Sequence, residues 1–181
     1  MICMHIPRSI SPSAQDALAD NFLAYAAKRL QLSQKDIARC LDKLTDAQIH
    51  HRGGDHENSI ANLLLHLEGN LRQWILHGID NQPDVRHRDE EFSLTLSLLP
   101  AEARACFNAT LDEVVHVIAT LDPARLLTVI DPQPTGIARH TTILEAIFRI
   151  VGHLELHTGQ IILLTKQLTA TDLDLSIPRK R

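Results

Sequence analysis

The sequence contains few aromatic residues and no segment apolar enough to cross a membrane. Only 3% of its 181 residues are Phe, Trp or Tyr, whereas 44% are hydrophobic, mainly Leu, Ile, Val and Ala. This balance favours helices packed on helices over an aromatic-rich β-sandwich. Because no stretch approaches the roughly 20 apolar residues of a membrane span, we expect no association with a membrane.

The sequence also lacks an excess of positive charge. Its formal net charge is −4 and its pI is about 6.2. A protein that binds nucleic acid needs a basic surface. The only basic cluster in this sequence is the short segment PRKR at residues 178–181. We therefore expect no nucleic-acid partner.

Cysteine is scarce, with three residues, Cys3, Cys40 and Cys106, in no metal-binding or disulfide spacing. The first 13 residues, MICMHIPRSISPS, contain two prolines and do not resemble a secretory signal. Both features are typical of a protein from the reducing cytoplasm. Cys40 and Cys106 fall on apolar helical faces, which predicts that both are small core residues.

Apolar residues recur at helical spacing in four segments, at about residues 13–44, 59–78, 100–121 and 142–168. This pattern predicts an all-α four-helix bundle with long connections between helices 2 and 3 and between helices 3 and 4. We expect one domain over residues 1–181, with its core at about 13–169. The predicted helix boundaries carry suitable residues: Ser13, Asn58 or Ser59, Gly78, Pro100, and Thr141 or Thr142.

The two long connections differ in character. Residues 79–99 are highly charged, and a loop of about 20 residues in a compact domain is uncommon and often functional. Residues 128–143 contain β-branched residues and two prolines, which indicates a loop or a small hairpin.

Three of the eleven histidines form a candidate metal site. His153 and His157 lie one turn apart in GHLELHTGQI, at the edge of the apolar face of the last helix. His66 occupies the same edge of the second helix. Imidazoles one turn apart can both bind one metal ion at about 2.0–2.1 Å, and three imidazoles leave a position open for water or substrate. Imidazole ligands suit Zn, Ni or Fe as the divalent cation.

Two readings of these histidines remain open. In a histidine-rich chain such a pair also arises by chance, and a histidine at a core edge often forms hydrogen bonds without metal. Asn62, Asn70 and Gln160 share the histidine faces. They either hold the tautomers of the imidazoles or are solvated polar residues beside the core.

Three segments resemble the DinB/YfiT-like family. They are SIANLLLHLEGNLRQWI (59–75), RHRDEEF (86–92) and AIFRIVGHLELHTGQIILLTKQL (146–168). RLQLSQKDIARCLDKL in the first helix is similar to a branch of that family whose function is unassigned. The likeness covers about residues 15–168. Many relatives carry another histidine where this sequence has Gly152.

The resemblance implies an up-and-down four-helix bundle, a homodimer, and a divalent metal held by three histidines. Those positions correspond to His66, His153 and His157. Characterised relatives include thiol-dependent transferases and isomerases that use bacillithiol, mycothiol or glutathione. The resemblance therefore implies a small-molecule substrate and a low-molecular-weight thiol.

Three functions remain open at this point. The first is a metal-dependent thiol transferase or isomerase. The second is a hydrolase, in which a metal lowers the pKa of bound water to about 7. A hydrolase needs a general base, and Glu68 and Glu155 point roughly 200° away from the histidine faces. The third is a non-catalytic bundle with a structural metal or none.

Overall fold

The computed structural model describes residues 12–93, 99–134 and 140–175. Within these ranges the chain is all-α, as predicted, and its only β pairing is an isolated bridge between Val129 and Thr142. None of the described helices is long and apolar enough to cross a membrane. The α-helices are α1 (Pro12–Leu41), α2 (Asp46–Ile49), α3 (Ile60–Leu71), α4 (Pro100–Thr120) and α5 (Ile143–Thr169).

Four long helices pack around one core. Helix α1 packs against α4 and α5, and α3 packs against the same two helices. Each long helix directs an apolar face inward, and burial of these faces is the main stabilising contribution to the fold. The largest fully buried side chains include Trp74, Phe107, Leu30, Ile37, Leu64, Leu67 and Ile118.

Helices α3 and α5, which carry the candidate histidines, both start with a side-chain cap. The Ser59 hydroxyl accepts from the Asn62 backbone N–H at the start of α3. Thr142 does the same with Glu145 at the start of α5. In each case the third residue of the helix returns a side-chain contact to the cap backbone, so the helix start is fixed in both directions. These starts agree with the sequence prediction, and α4 begins at Pro100 as expected.

The prediction that the first helix extends to Leu44 is wrong. Helix α1 ends at Leu41, and the unpredicted short helix α2 begins five residues later, at Asp46, with Thr45 as its cap. Thr45 and Gln48 form a reciprocal capping pair, which favours a new helix start over continuation of α1.

Helix α3 does not end as a regular α-helix. It continues as a π-helical turn over Arg72–His77 and reaches Gly78, near the predicted end. Gly78 has a right-handed backbone with φ of −71°, so a left-handed cap does not explain this glycine. A Cβ at this position would lie 2.7 Å from the Trp74 carbonyl oxygen and 3.0 Å from Pro134. Close approach of the chain therefore requires glycine here.

The two long connections contain short structured pieces. A 3-10 turn, Arg88–Phe92, lies in the first connection and packs against α3. The bridge between Val129 and Thr142 closes the second connection, as a small hairpin would. Residues 94–98 and 135–139 of these connections lie outside the described residues.

The cysteines do not behave alike. Cys40 is fully buried, as predicted, and burial raises the pKa of its thiol. The same prediction for Cys106 is wrong, because its side chain is exposed on α4. Its neighbour Phe107 is the residue that faces the core. Cys3 lies outside the described residues.

This neighbouring pair provides a stability test. We expect Phe107→Ala to lower the free energy of unfolding by about 3–5 kcal/mol, because it leaves a cavity in the core. Cys106→Ala should change it by less than about 0.5 kcal/mol, because the side chain is exposed. Urea denaturation followed by circular dichroism measures both. Similar losses in the two variants would contradict the assignment of the core face of α4.

Candidate metal centre

Helices α3 and α5 bring His66, His153 and His157 together. The Nε2 atoms of His66 and His153 lie 3.1 Å apart, and those of His153 and His157 lie 3.2 Å apart. All three nitrogens lie within 4.8 Å of one another. His66 is buried, whereas the two histidines of α5 are half-buried and border solvent.

These spacings fit nitrogen atoms that share one metal ion. Bonds of about 2.0–2.1 Å place two ligand nitrogens about 2.9 Å apart at a right angle and about 3.4 Å apart at a tetrahedral angle. The two observed separations fall between these limits. The three rings are also steeply inclined to one another, by 67° to 86°, so their nitrogen edges converge instead of their faces stacking. The cluster could therefore hold a metal ion.

The tautomer of His66 is fixed by Glu91. His66 Nδ1 lies 2.9 Å from Glu91 Oε2, and an ionised carboxylate can only accept, so Nδ1 carries the proton. Arg86 Nη2 is more distant from Nδ1, at 3.3 Å, and already donates to Glu91 Oε2 at 2.9 Å. The lone pair of His66 is therefore on Nε2 and faces the other two histidines.

His157 is oriented in the same way by its own helix. Its Nδ1 lies 2.6 Å from the side-chain oxygen of Gln160, to which it donates, and this leaves the lone pair on Nε2. His153 Nε2 faces both neighbours but carries one proton at most. It cannot satisfy two lone pairs at once, so this donor set suits a cation at the point of convergence.

The two histidines of α5 are held in the neutral form that binds metal. Burial is the main cause that lowers the pKa of His153 to about 4, and the nearby His157 and His66 lower it further. Burial also lowers the pKa of His157, although its hydrogen bond to Gln160 opposes the shift. Both imidazoles are therefore neutral at pH 7 and have a free lone pair.

Glu91 and Arg86 form a buried ion pair beside the cluster. Arg86 Nε donates to Glu91 Oε1 at 2.6 Å, and Arg86 Nη1 donates to the Gln73 side-chain oxygen at 2.9 Å. Burial alone would raise the pKa of the Glu91 carboxyl, but Arg86 and His66 outweigh it and hold the pKa below its usual value. Glu91 is therefore ionised at neutral pH.

Sequence reasoning did not identify Glu91 or Arg86 as site residues. Both lie in RHRDEEF, within the long charged connection, and connections of this length are often functional. Its length was the available signal, because a non-helical connection has no periodicity from which to predict contacts. The Phe92 ring also packs on His66, with ring centres 4.9 Å apart.

The three polar residues predicted to accompany the histidines have different positions. Gln160 contacts His157 directly. The Asn62 side chain contacts Ser59 and donates to the backbone oxygen of Glu91 at 2.8 Å, so it holds the connection instead of an imidazole. Asn70 is buried, and within the described residues it forms no hydrogen bond to the three histidines.

Glu68 and Glu155 have partners away from the cluster, which agrees with their predicted direction. Glu155 pairs with Arg29 of α1. Glu68 pairs with Arg72 and accepts from the Thr110 hydroxyl of α4. Neither carboxylate is free to act as a base at the histidine cluster.

Comparison with known proteins places the chain in a family of unknown function. A family model described as "Protein of unknown function (DUF1572)" matches residues 17–181. The crystal structure of a "conserved protein of locus" from Enterococcus faecalis is similar with a TM-score of 0.57 and 14% identity. The match covers 90% of this chain and 100% of that chain, and at this identity it concerns the fold alone. No curated protein matches.

The low pKa of His153 predicts a pH-dependent stability in metal-free protein. The unfolded chain has a histidine pKa of about 6.5, and the folded value is about 4. Between these values the unfolded chain binds more protons, so stability should fall as the pH drops from about 6.5 to about 4. Urea denaturation in EDTA at several pH values measures this loss.

The variant His153→Gln should lose less stability over the same pH range. The control His116→Gln replaces an exposed histidine of α4 and should lose as much as the unmodified protein. An unchanged slope for His153→Gln would contradict the assignment of a neutral, half-buried His153.

Proposed function

We propose that this chain, which belongs to the DUF1572 family, is a metal-dependent enzyme whose divalent cation is held by His66, His153 and His157. The convergence of their three Nε2 atoms within 4.8 Å carries this proposal. The neutral state of His153 and His157 supports it, because a protonated imidazole cannot bind a cation. Zn, Ni and Fe all suit this donor set.

The surrounding residues support a catalytic role for the site over a purely structural one. Three protein ligands leave at least one coordination position for a small molecule, whereas structural sites are closed by a fourth ligand. When bound, a divalent cation supplies positive charge that favours a thiolate over a thiol. His153 and His157 are half-buried, so the cluster borders solvent on the α5 side.

We propose thiol-dependent group transfer or isomerisation of a small molecule, with a low-molecular-weight thiol as co-substrate. The ion pairs formed by the carboxylates of Glu68, Glu91 and Glu155 support this choice. Glu91 is occupied by Arg86 and His66, and Glu68 and Glu155 have ion pairs elsewhere. Hydrolysis would need a free base at the site, and none of these three is free, whereas a thiolate is itself the nucleophile.

We further propose that the helices form an up-and-down four-helix bundle of the DinB/YfiT-like type. The packing order supports it, because α1 and α3 each contact both α4 and α5. The two described cysteines are unpaired, which supports an enzyme of the reducing cytoplasm.

We propose a homodimer that associates through the outer faces of α1 and α5. Tyr25 and Phe148 are 58% and 72% exposed there, and they border a groove of about 470 Å³. Apolar side chains that flank a groove on a helix pair are a suitable centre for a symmetric interface.

Metal binding is the first prediction of this proposal. Untagged protein should contain about one divalent ion per chain by elemental analysis. His66→Ala, His153→Ala and His157→Ala should each weaken binding by more than the roughly 10–100-fold expected for loss of a ligand's hydrogen-bond partner. His116→Ala is the control and should bind normally. Absence of metal after reconstitution would overturn the proposal.

The same proteins test the reaction class. Metal-loaded protein should conjugate bacillithiol, mycothiol or glutathione to at least one electrophile in a panel, and EDTA or His153→Ala should abolish turnover. A large drop in melting temperature on metal removal, without turnover under any condition, would instead support a structural metal.

The dimer has its own test. Sedimentation velocity should show a dimer for the unmodified protein. Phe148→Asp should weaken association by about 30-fold or more, because it replaces an exposed apolar side chain beside the groove with a charge. Leu127→Asp, at a position 76% exposed elsewhere, should leave the dimer intact. A monomeric unmodified protein would contradict this assignment.

A further inference from the structure

The Glu91 side chain packs against α3 at Gly69, where the absence of a Cβ leaves space for its carboxylate. A Cβ at Gly69 would lie 2.3 Å from Glu91 Oε1 and 3.2 Å from Arg86 Nε. Gly69 follows His66 by three residues, so the two positions share a face of the helix. Any side chain there would displace the carboxylate from the ring of His66.

Glycine at position 69 makes α3 less stable than alanine would. Glycine inside a helix is less favourable than alanine by about 1 kcal/mol, since it leaves the unfolded backbone with more freedom. Gly69 lies inside α3 and has no positive φ that would require glycine for conformational reasons. Close approach of the Arg86–Glu91 pair is therefore the reason for it.

The backbone from Glu91 to Ser93 is fixed as well. Asn62 Nδ2 donates to the backbone oxygens of Glu91, at 2.8 Å, and of Ser93, at 3.1 Å. Arg52 Nη2 donates to the backbone oxygens of Phe92, at 3.3 Å, and of Ser93, at 3.0 Å. The position of the Glu91 carboxylate is thus determined from both its side chain and its main chain.

We propose that Glu91 is a positioning residue for His66, and that Gly69 provides the space in which the Glu91 carboxylate lies. This inference rests on the proposed metal-binding function. Glu91 holds the proton of His66 on Nδ1, directs the Nε2 lone pair toward His153 and His157, and makes that nitrogen a stronger donor through its negative charge. Arg86 donates two hydrogen bonds to the carboxylate and holds it in place.

The first test compares Glu91→Gln with Glu90→Gln. Both remove one negative charge from adjacent residues, but Glu90 is exposed and its side chain does not contact His66. The glutamine amide can donate as well as accept, so it no longer fixes the tautomer. Competition with a chromophoric chelator should show Zn²⁺ binding about 10–100-fold weaker for Glu91→Gln and unchanged for Glu90→Gln.

The second test compares Gly69→Ala with Gly159→Ala. Both add one methyl group within a helix, but a Cβ at Gly159 meets nothing within 4 Å. Gly69→Ala should weaken Zn²⁺ binding by an amount similar to Glu91→Gln, since it displaces the same carboxylate. Gly159→Ala should bind Zn²⁺ normally.

A readout without metal separates positioning from general stability. In metal-free, unmodified protein, ¹⁵N NMR of the histidine rings should show His66 with its proton on Nδ1. Glu91→Gln and Gly69→Ala should shift part of the population to the Nε2–H form, and the two controls should not. Thermal unfolding identifies a variant that fails to fold. If either Glu91→Gln or Gly69→Ala fails to fold, the other of these two variants provides the test.

The possible results are distinguishable. If the unmodified protein binds Zn²⁺ and His66→Ala does not, but Glu91→Gln and Gly69→Ala retain full affinity and the Nδ1–H form, the inference is overturned and the proposed function stands. If the unmodified protein binds no Zn²⁺, the proposed function fails. The ring tautomer in the metal-free protein then decides alone whether Glu91 positions His66.

Discussion

Packing of α3 against α5 is the contact on which the candidate site depends. The two helices contribute His66 on one side and the pair His153 and His157 on the other, so the three nitrogens converge only while these helices are packed together. Apolar residues next to the histidines, such as Leu67 and Leu154, are almost fully buried and belong to the hydrophobic core. Core packing therefore sets the position of the imidazoles, and hydrogen bonds set their orientation.

Charge is balanced around the cluster before any ligand enters. The α5 imidazoles are neutral, and the buried Arg86–Glu91 pair sums to zero. A divalent cation held by neutral ligands keeps most of its charge available to an anionic group in the open position. In the proposed function, this charge would favour loss of the proton from a bound thiol.

Local sequence signals predicted the helices and the main candidate residues. Helix starts at Ser59, Pro100 and Thr142 followed from cap chemistry, and the shared face of His153 and His157 followed from 100° of rotation per residue. The placement of His66 at the same core edge also came from that arithmetic. These features depend on neighbours in sequence, and such neighbours can be read from a sequence.

Features that depend on contacts between distant segments could not be predicted in this way. Glu91 reaches His66 from a non-periodic connection, so its role is not visible in the sequence pattern. In the sequence, Gly69 stands out only as a residue of low helix propensity, because the atoms it lies against belong to that connection. Cys106 was misplaced because one residue of rotation on α4 separates the core position of Phe107 from solvent.

The π-helical turn at Arg72–His77 has a consequence for the geometry of the whole site. Such a turn accommodates one more residue than an α-turn, so everything after it is rotated by about 100° relative to a uniform helix. The chain leaves α3 through this turn and then returns with Arg86 and Glu91. The winding of this one turn thus sets the direction in which the chain leaves α3.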